Sequence, residues 1–436
     1  MRALVLTMLD VRQEPNQRIH YIIRMLAETA DETVVATKVR ALGRSLGALL
    51  RDALAFRVST ALEGKVTILA IHPPLNYAHA MAAGLVQGEL TRRPGRLRRG
   101  AASGLSLLGM ARDLILIPAF LVVILLRTRG TFDVCLAQGP WEGAVGWLLR
   151  GLGRVRRLVY DDIDFVAGGQ STWLRRAYVA WLERALIRRA DVAISTGWLL
   201  GSYRRRTTGR DVRIIPNGVD PDRFASARAK RPHPPTLVYM GNVAYFAGID
   251  LAIRALPKIR AALPGARLLI VGGGDEPYVK GLRELVAAER LADAVEFRGP
   301  VPYAALPEIL AESDLGLATF RPTPFGAFAF PLKVVEYMAA GLPVIGTVGS
   351  ETAELLRRYP CGKAVRFDQG SLAEAVIEIL GNHEEYGRSV AMATNAVQEF
   401  TWARAMEAER AAIVAALGRA PQSGRAGRDA QGAKRA

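Results

Sequence analysis

Two stretches of this sequence group charges in ways that could hold or move charge on a substrate. In Pro331-Leu332-Lys333-Val334-Val335-Glu336, a lysine and a glutamate follow a proline. Three residues of helix bring both side chains to one face, and Pro331 suits the first turn. The unpaired N–H groups and positive dipole end of a helix start attract anions, and Lys333 adds a formal charge beside them. A cation for phosphate next to a carboxylate for sugar hydroxyls is what a nucleotide-sugar requires. The alternative is a surface Lys–Glu pair on a capped helix. The second stretch is Tyr160-Asp161-Asp162-Ile163-Asp164. Carboxylates this close disfavour one another's ionisation, which keeps one available as a proton acceptor. Helix capping or plain solubility would also account for them.

Strands and helices alternate along most of the chain. Residues 1–9 read as a buried first strand rather than a leader, since the apolar run is short and Asp10 and Arg12 interrupt it. Ile19, Ile22, Ile23 and Leu26 recur at helical spacing, which turns Arg18 and His20 away from the core near the helix start. Strands are expected at 66–71, 132–138, 157–160, 192–195 and 212–215. Asp161 to Asp164 would then follow a strand end, where open α/β sheets bind ligands. A basic amphipathic helix carrying Trp173, Leu174, Tyr178, Trp181 and Leu182 lies between, and a Pro-rich linker reaches Pro235. Strands resume at 236–240, 268–271, 295–298, 315–318 and from Val344. Several run into glycines, at Gly241, at Gly272-Gly273-Gly274 and at Gly299. Glycine at a strand end lets a ligand approach the backbone. The spaced dinucleotide fingerprint is not matched, which argues against a nicotinamide or flavin cofactor. Around 324–330, Pro and Gly predict irregular chain, and Gly341-Leu342-Pro343 ends the helix begun at Pro331.

The 436 residues allow two or more domains, and a hydrophobic fraction of 50% supports sizeable cores. A formal charge of +17 implies an anionic partner. Arg92, Arg93, Arg96, Arg98 and Arg99 crowd one block ahead of the apolar run 114–126. That run is too short to cross a bilayer, which takes about 20 residues. A buried helix, or one partly sunk in an anionic membrane face, are the readings left. Cys135 and Cys361 are too few and too far apart for a disulfide framework or a metal cluster. Residues after 418 are small, polar and basic, a tail expected to be disordered.

Several motifs together resemble the second domain of GT-B glycosyltransferases of family 4. They are Ile215-Pro216-Asn217-Gly218-Val219-Asp220, Tyr239-Met240-Gly241-Asn242 with Gly248-Ile249-Asp250, Val271-Gly272-Gly273-Gly274, Phe297-Arg298-Gly299, and 331–344. Asp10 to His20 and Tyr160 to Asp164 are similar, more weakly, to the xanthan-pathway glucuronosyltransferase group. The resemblance implies an α/β fold of two Rossmann-like parallel-sheet domains in GT-B architecture. Its expected parts are an acceptor domain 1–215, a linker 216–235, a nucleotide-sugar domain 236–395, a helix 396–418 crossing back to the first domain, and the tail 419–436. It further implies Glu336 on the donor ribose, Lys333 on the diphosphate and Gly241 facing the phosphates. Arg298 and Gly299 would lie near the base, and Asp164 would be the catalytic base. Asn242, Gly273, Pro331 and Leu332 complete the donor side, while Asp10, Arg18, His20 and Asp162 are candidates on the acceptor side. The chain departs from the family at Phe328, where many members have a first glutamate, and at Asn242 and Ala247, where basic residues are usual. Lys333 would then carry more of the phosphate role.

The first reading is a glycosyltransferase moving a sugar from a nucleotide-diphosphate donor to a lipid-linked or glycan acceptor. It would be metal-independent, without nucleic acid, cytoplasmic, and peripheral on the inner face of the plasma membrane. A nucleotide-sugar epimerase of the same architecture is the alternative. An anionic-surface or nucleic-acid binding protein is a third, disfavoured because the Arg-rich blocks lack interleaved aromatics.

Overall fold

The computed structural model describes residues 1–12, 17–39, 57–72, 113–170, 172–229 and 233–418. The arginine block at 92–99 and the tail after 418 lie outside them. The chain builds two sheets. The first contains β1 (Arg2–Thr7), β2 (Glu32–Lys38), β3 (Arg57–Glu63), β4 (Val66–His72), β5 (Phe132–Gln138), β6 (Val155–Asp162), β7 (Val192–Ser195) and β8 (Arg213–Ile214). Their order is β3-β4-β2-β1-β5-β6-β7-β8, with only β3 antiparallel to its neighbour. The second sheet, all parallel, contains β9 (Thr236–Met240), β10 (Arg267–Val271), β11 (Val295–Gly299), β12 (Leu315–Ala318), β13 (Val344–Thr347) and β14 (Gly362–Val365). Here the order is β11-β10-β9-β12-β13-β14.

Parallel strands covered on both faces read as near-continuous apolar runs, and these do. In the first sheet Leu4, Leu6, Val34, Leu69, Leu158 and Tyr160 face one way. Their strand neighbours Val5, Val35, Ile68, Val134, Val159 and Ile194 face the other. The first set is covered by helices 113–127, Pro140–Gly151 and Trp173–Arg189, the second by Arg18–Thr29 and Trp402–Gly418. Trp402–Gly418 follows the second sheet in sequence yet packs under the first through Trp402, Met406, Ile413 and Ala416. The Trp402 ring also stacks on Tyr21 at 4.4 Å.

Strand order reverses between β1 and β5 in one sheet and between β9 and β12 in the other. Beyond the carboxyl ends of the strands flanking such a point a crevice opens. The loop holding Asp10 follows β1, and the Gly241 turn follows β9.

Three expectations are corrected by this architecture. Residues 324–328 form a short helix, because the Thr323 hydroxyl accepts the Gly326 amide at 3.1 Å and Pro324 starts it. Asp161 and Asp162 are the last residues of β6 rather than loop. Arg18 is buried rather than turned away from the core, for reasons given below. Among the described residues, no helix is long and apolar enough to cross a membrane.

Candidate active site

On the second sheet, three strand ends meet backbone to backbone. The Gly241 amide donates to the Val271 carbonyl at 2.9 Å and the Gly272 amide to the Gly299 carbonyl at 2.8 Å. Gly241 and Gly272 have φ of 120° and 127°. A Cβ on Gly272 would lie 1.9 Å from the Gly241 carbonyl oxygen. Glycine is therefore required there by contact as well as by φ. The Gly273 carbonyl accepts the Val243 amide at 2.9 Å, which carries Asn242 and Val243 over the end of β10.

Helix Leu332–Ala339 starts from Pro331 at its N-cap position and points this end at the Gly241 turn. It ends at Gly341, φ 71°, with the Leu342 amide reaching back to the Tyr337 carbonyl at 2.9 Å. Its angle is fixed by Tyr337, whose hydroxyl accepts the Met240 amide at 2.9 Å from the fully buried side of the helix. Gly316 on β12 makes room for that ring, since a Cβ there would meet it at 2.3 Å.

The same helix carries Lys333 and Glu336 one turn apart. The Lys333 ammonium lies 3.8 Å from the centre of the Tyr239 ring, a cation–π contact, and 5.6 Å from that of Phe320. A Cβ on Gly241 would come within 3.3 Å of this nitrogen, so lysine and glycine turn share one spot. Burial pushes the Lys333 ammonium down to about 7, against the opposing pull of Glu336. Glu336 is buried, which pushes its carboxyl up to about 7 against a hydrogen bond donated by Tyr303 and the charge of Lys333. Tyr303 is a site residue that sequence reasoning missed. It stands in Pro300-Val301-Pro302-Tyr303 just past β11, and nothing in that segment marks it. Asn217, in the junction motif, donates to the Phe330 carbonyl at 3.2 Å and so braces the approach to the helix.

Arg298 is held between Glu296 at 2.7 Å and Glu312 at 2.8 Å, so two carboxylates already occupy the guanidinium expected near the base. Gly299 has φ 67° and passes its carbonyl to Gly272.

The carboxylates of the first half divide into paired and poised. Asp161 accepts from Arg18 Nε at 3.2 Å and from Gln138 Nε2 at 2.9 Å. Arg18 also donates to the Ile215 and Pro216 carbonyls and pairs with Glu409 on Trp402–Gly418. This is why an arginine expected to face solvent is buried: two carboxylates and two carbonyls consume its donors. Asp162 takes both oxygens to Arg204, at 2.7 and 3.0 Å, and Glu183 holds Arg204 from the other side at 2.9 Å. Asp10 binds Arg12 at 3.0 and 3.1 Å. His20 closes a capping box with Gln17 and reaches the Val11 carbonyl at 2.9 Å. Of the acceptor-side candidates, Arg18 and Asp162 thus belong to internal ion pairs, while Asp10 and His20 shape the loop after β1. Asp164 differs: it is half-buried, just past the end of β6. Burial and the nearby Asp162 charge push its carboxyl up to about 7, the range of a general base.

The two halves touch beside Asp164. Phe165 meets Phe328 edge-on at 5.0 Å, and Tyr203 lies 5.2 Å from the same ring. The position where the resemblance leads one to look for a glutamate thus holds an aromatic contact between domains. Glu351, from the second half, accepts the Leu200 amide at 2.8 Å at the start of helix Trp198–Thr208. A Cβ on Gly197 would collide with that carboxylate at 2.1 Å.

Residues 234–382 match the family model described as glycosyl transferases group 1, and this segment of the chain belongs to that family. A phosphatidyl-myo-inositol mannosyltransferase of Mycobacterium tuberculosis is 31% identical over 218 residues, 48% of this chain and 55% of that protein. The chain spans about half the length of the curated relatives it matches. Its overall fold is that of a sucrose-phosphate synthase from Thermosynechococcus elongatus, with TM-score 0.70 at 19% identity over 94% of this chain and 98% of the other. It is also that of HepE from Anabaena in complex with UDP, with TM-score 0.65 at 17% identity over 95% and 100%. The architecture is α/β of the GT-B kind.

Proposed function

We propose that this chain, whose second half is a group 1 glycosyltransferase domain, transfers a sugar from a nucleotide-diphosphate donor to a hydroxyl of an acceptor held by the first half. The observation that carries the reading is Lys333, packed against the Gly241 turn at the strand-order reversal with Glu336 one turn behind it. In this reading the donor diphosphate lies over Gly241 and Gly273, facing Lys333 and the N–H groups that follow Pro331. Glu336, oriented by Tyr303, accepts from the ribose. Asp164 takes the proton of the acceptor hydroxyl as its oxygen bonds to the anomeric carbon and the bond to the diphosphate breaks. Positive charge from Lys333 and the helix start stabilises the departing diphosphate, which is why we propose metal independence.

The name of the phosphatidyl-myo-inositol mannosyltransferase supports a lipid-linked acceptor, and nucleotide-linked mannose and UDP-linked sugars are the donors to test first. With such an acceptor the protein would work as a peripheral protein on the inner membrane face. A thermal-shift screen of nucleotide-sugars tests the donor half, since a ligand bound only by the folded state raises its melting temperature. A matching donor should raise it by several degrees. Lys333→Ala should remove that shift and abolish turnover, and full activity in this variant would overturn the donor assignment. Isomerised donor formed without any acceptor would point to an epimerase instead.

A further inference from the structure

Helices 113–127, Pro140–Gly151 and Trp173–Arg189 lie together on one face of the first sheet. Arg175 pairs with Asp113 at 3.3 Å, Arg150 donates to the Arg189 carbonyl at 3.0 Å, and Leu116, Val123, Leu149 and Leu186 share one core. Their outward side is unlike an ordinary protein surface. From 114 to 126 the first of them has no polar residue at all, so Leu114, Pro118, Val122 and Leu126 face outward with nothing polar between them. Leu114 is 74% and Leu126 78% exposed. Trp173 and Trp181, on the third, are 79% and 59% exposed. Trp147, Leu148 and Leu152 add to the same side. Scattered apolar residues need no explanation, but so many on one layer of three packed helices point to an interaction surface.

The charges on this layer identify the partner. The three helices carry three acids, Asp113, Glu142 and Glu183, and all are buried. Asp113 turns to Arg175 and Glu183 to Arg204. The exposed charges are arginines: Arg127, Arg176, Arg188 and Arg189. A protein partner would meet mixed charge at its rim, whereas this face offers apolar and aromatic side chains framed by one sign. Tryptophan settles at the boundary between headgroups and acyl chains, and arginine favours anionic headgroups. The layer also adjoins the loop that carries Asp164, since Arg175 Nε donates to Gln170 Oε1 at 2.6 Å and Glu183 accepts the Ala167 amide at 3.2 Å.

We propose that the outward side of these three helices docks onto the surface of an anionic lipid bilayer. This deepens the membrane part of the preceding reading by naming the surface and its ligand, and it does not depend on sugar transfer. The test is flotation of the full chain with vesicles of phosphatidylglycerol or of phosphatidylcholine. The unaltered protein should float with the anionic vesicles and much less with the neutral ones, more weakly as salt rises. Val122→Glu with Leu126→Glu, and separately Trp173→Ala with Trp181→Ala, should each lower partitioning about tenfold or more. Because these side chains are exposed or nearly so, melting temperatures should stay close to that of the parent, and donor-induced shifts, if the parent shows them, should persist. No flotation of the parent, equal flotation on neutral vesicles, or variants that float like the parent would each overturn the proposal. So would a dimer in solution that the glutamate pair splits, coupled with no vesicle binding, since the face would then belong to a second copy.

Discussion

Arg204 and Lys333 are both cations drawn in from solvent, one in each half of the molecule, and their surroundings differ. Arg204 is fully buried, with Asp162 on one side and Glu183 on the other. Arg18 repeats the pattern with Asp161 and Glu409. These groups have what a buried ion needs, and the pairs tie β6 to the helices around it. Among the described residues, Lys333 has the Tyr239 and Phe320 rings and the field of Glu336, and burial weakens its hold on its proton. A cation held that way costs stability, a cost that the proposed donor diphosphate would offset. Paired charge marks the scaffold, and in the proposed reading the cation at Lys333 marks the site.

The comparison breaks most visibly at the scaffold. Arg204→Met should cost about 3–5 kcal/mol, because it leaves Asp162 and Glu183 buried without their cation. Denaturant unfolding followed by tryptophan fluorescence would measure it. Adding Asp162→Asn and Glu183→Gln should return part of the loss, and a single variant as stable as the parent would show that the pairs are not structural.

Lys333→Met should do the reverse. Turnover should fall about 10²- to 10³-fold, the usual effect of removing one group that stabilises developing negative charge. Stability of the empty protein should rise by about 1 kcal/mol or less, since a methionine replaces a poorly solvated cation of similar length. Loss of stability together with activity would put Lys333 in the scaffold class.

The pH dependence sharpens the same contrast. Both Asp164 and Lys333 are pushed to about 7, the carboxyl upward and the ammonium downward. Since kcat/KM reports the free enzyme, it should rise as Asp164 ionises and fall as Lys333 loses its proton, a bell with its maximum near neutrality. Lys333→Arg should move the alkaline limb upward and leave the acid limb in place. The contributions to stability have opposite signs. Between 3.8 and about 7 the folded state holds the Asp164 proton that the unfolded state has released, so stability falls as pH rises. Between about 7 and 10.5 the unfolded state holds the Lys333 proton that the folded state has lost, so stability rises with pH. Calorimetry of the parent against each single variant would separate the two.

Much of the second half was legible because its constraints are local. Glycines at strand ends announce turns, and Pro331 and Gly341 mark a helix with Lys333 and Glu336 on one face. Contacts between distant residues were not legible. Arg18 and Glu409 are far apart in sequence, and helical spacing alone turned Arg18 outward where two buried carboxylates draw it in. Glu183 and Arg204 look like ordinary surface charges on basic helices until the fold brings them to Asp162. Tyr303 follows a different strand from the helix that bears Glu336, so no spacing links them. The exposure of Trp173 and Trp181 was not legible for another reason. Apolar type predicts burial, and that rule fails where a surface has a partner of its own.

Phe328 tests the seam between the two halves and carries the smallest expected effect. Its ring meets Phe165 and Tyr203, which also lie against the Arg204 guanidinium, so scaffold and site touch at this point. Aromatic pairs contribute about 0.5–1.5 kcal/mol beyond the area they bury. Phe328→Ala should therefore cost about 1 kcal/mol in favour of an open arrangement of the domains. Small-angle scattering of the donor-free protein should report a larger radius of gyration. If the donor must close the domains before reaction, its apparent affinity should drop about fivefold by the same energy. Phe328→Glu should open the seam further, because it sets a carboxylate beside the loop that bears Asp164 and strips the ring contacts at once. A radius unchanged in both variants would mean that Glu351 on the start of helix Trp198–Thr208 suffices to hold the halves together, and that the ring at 328 merely fills space between them.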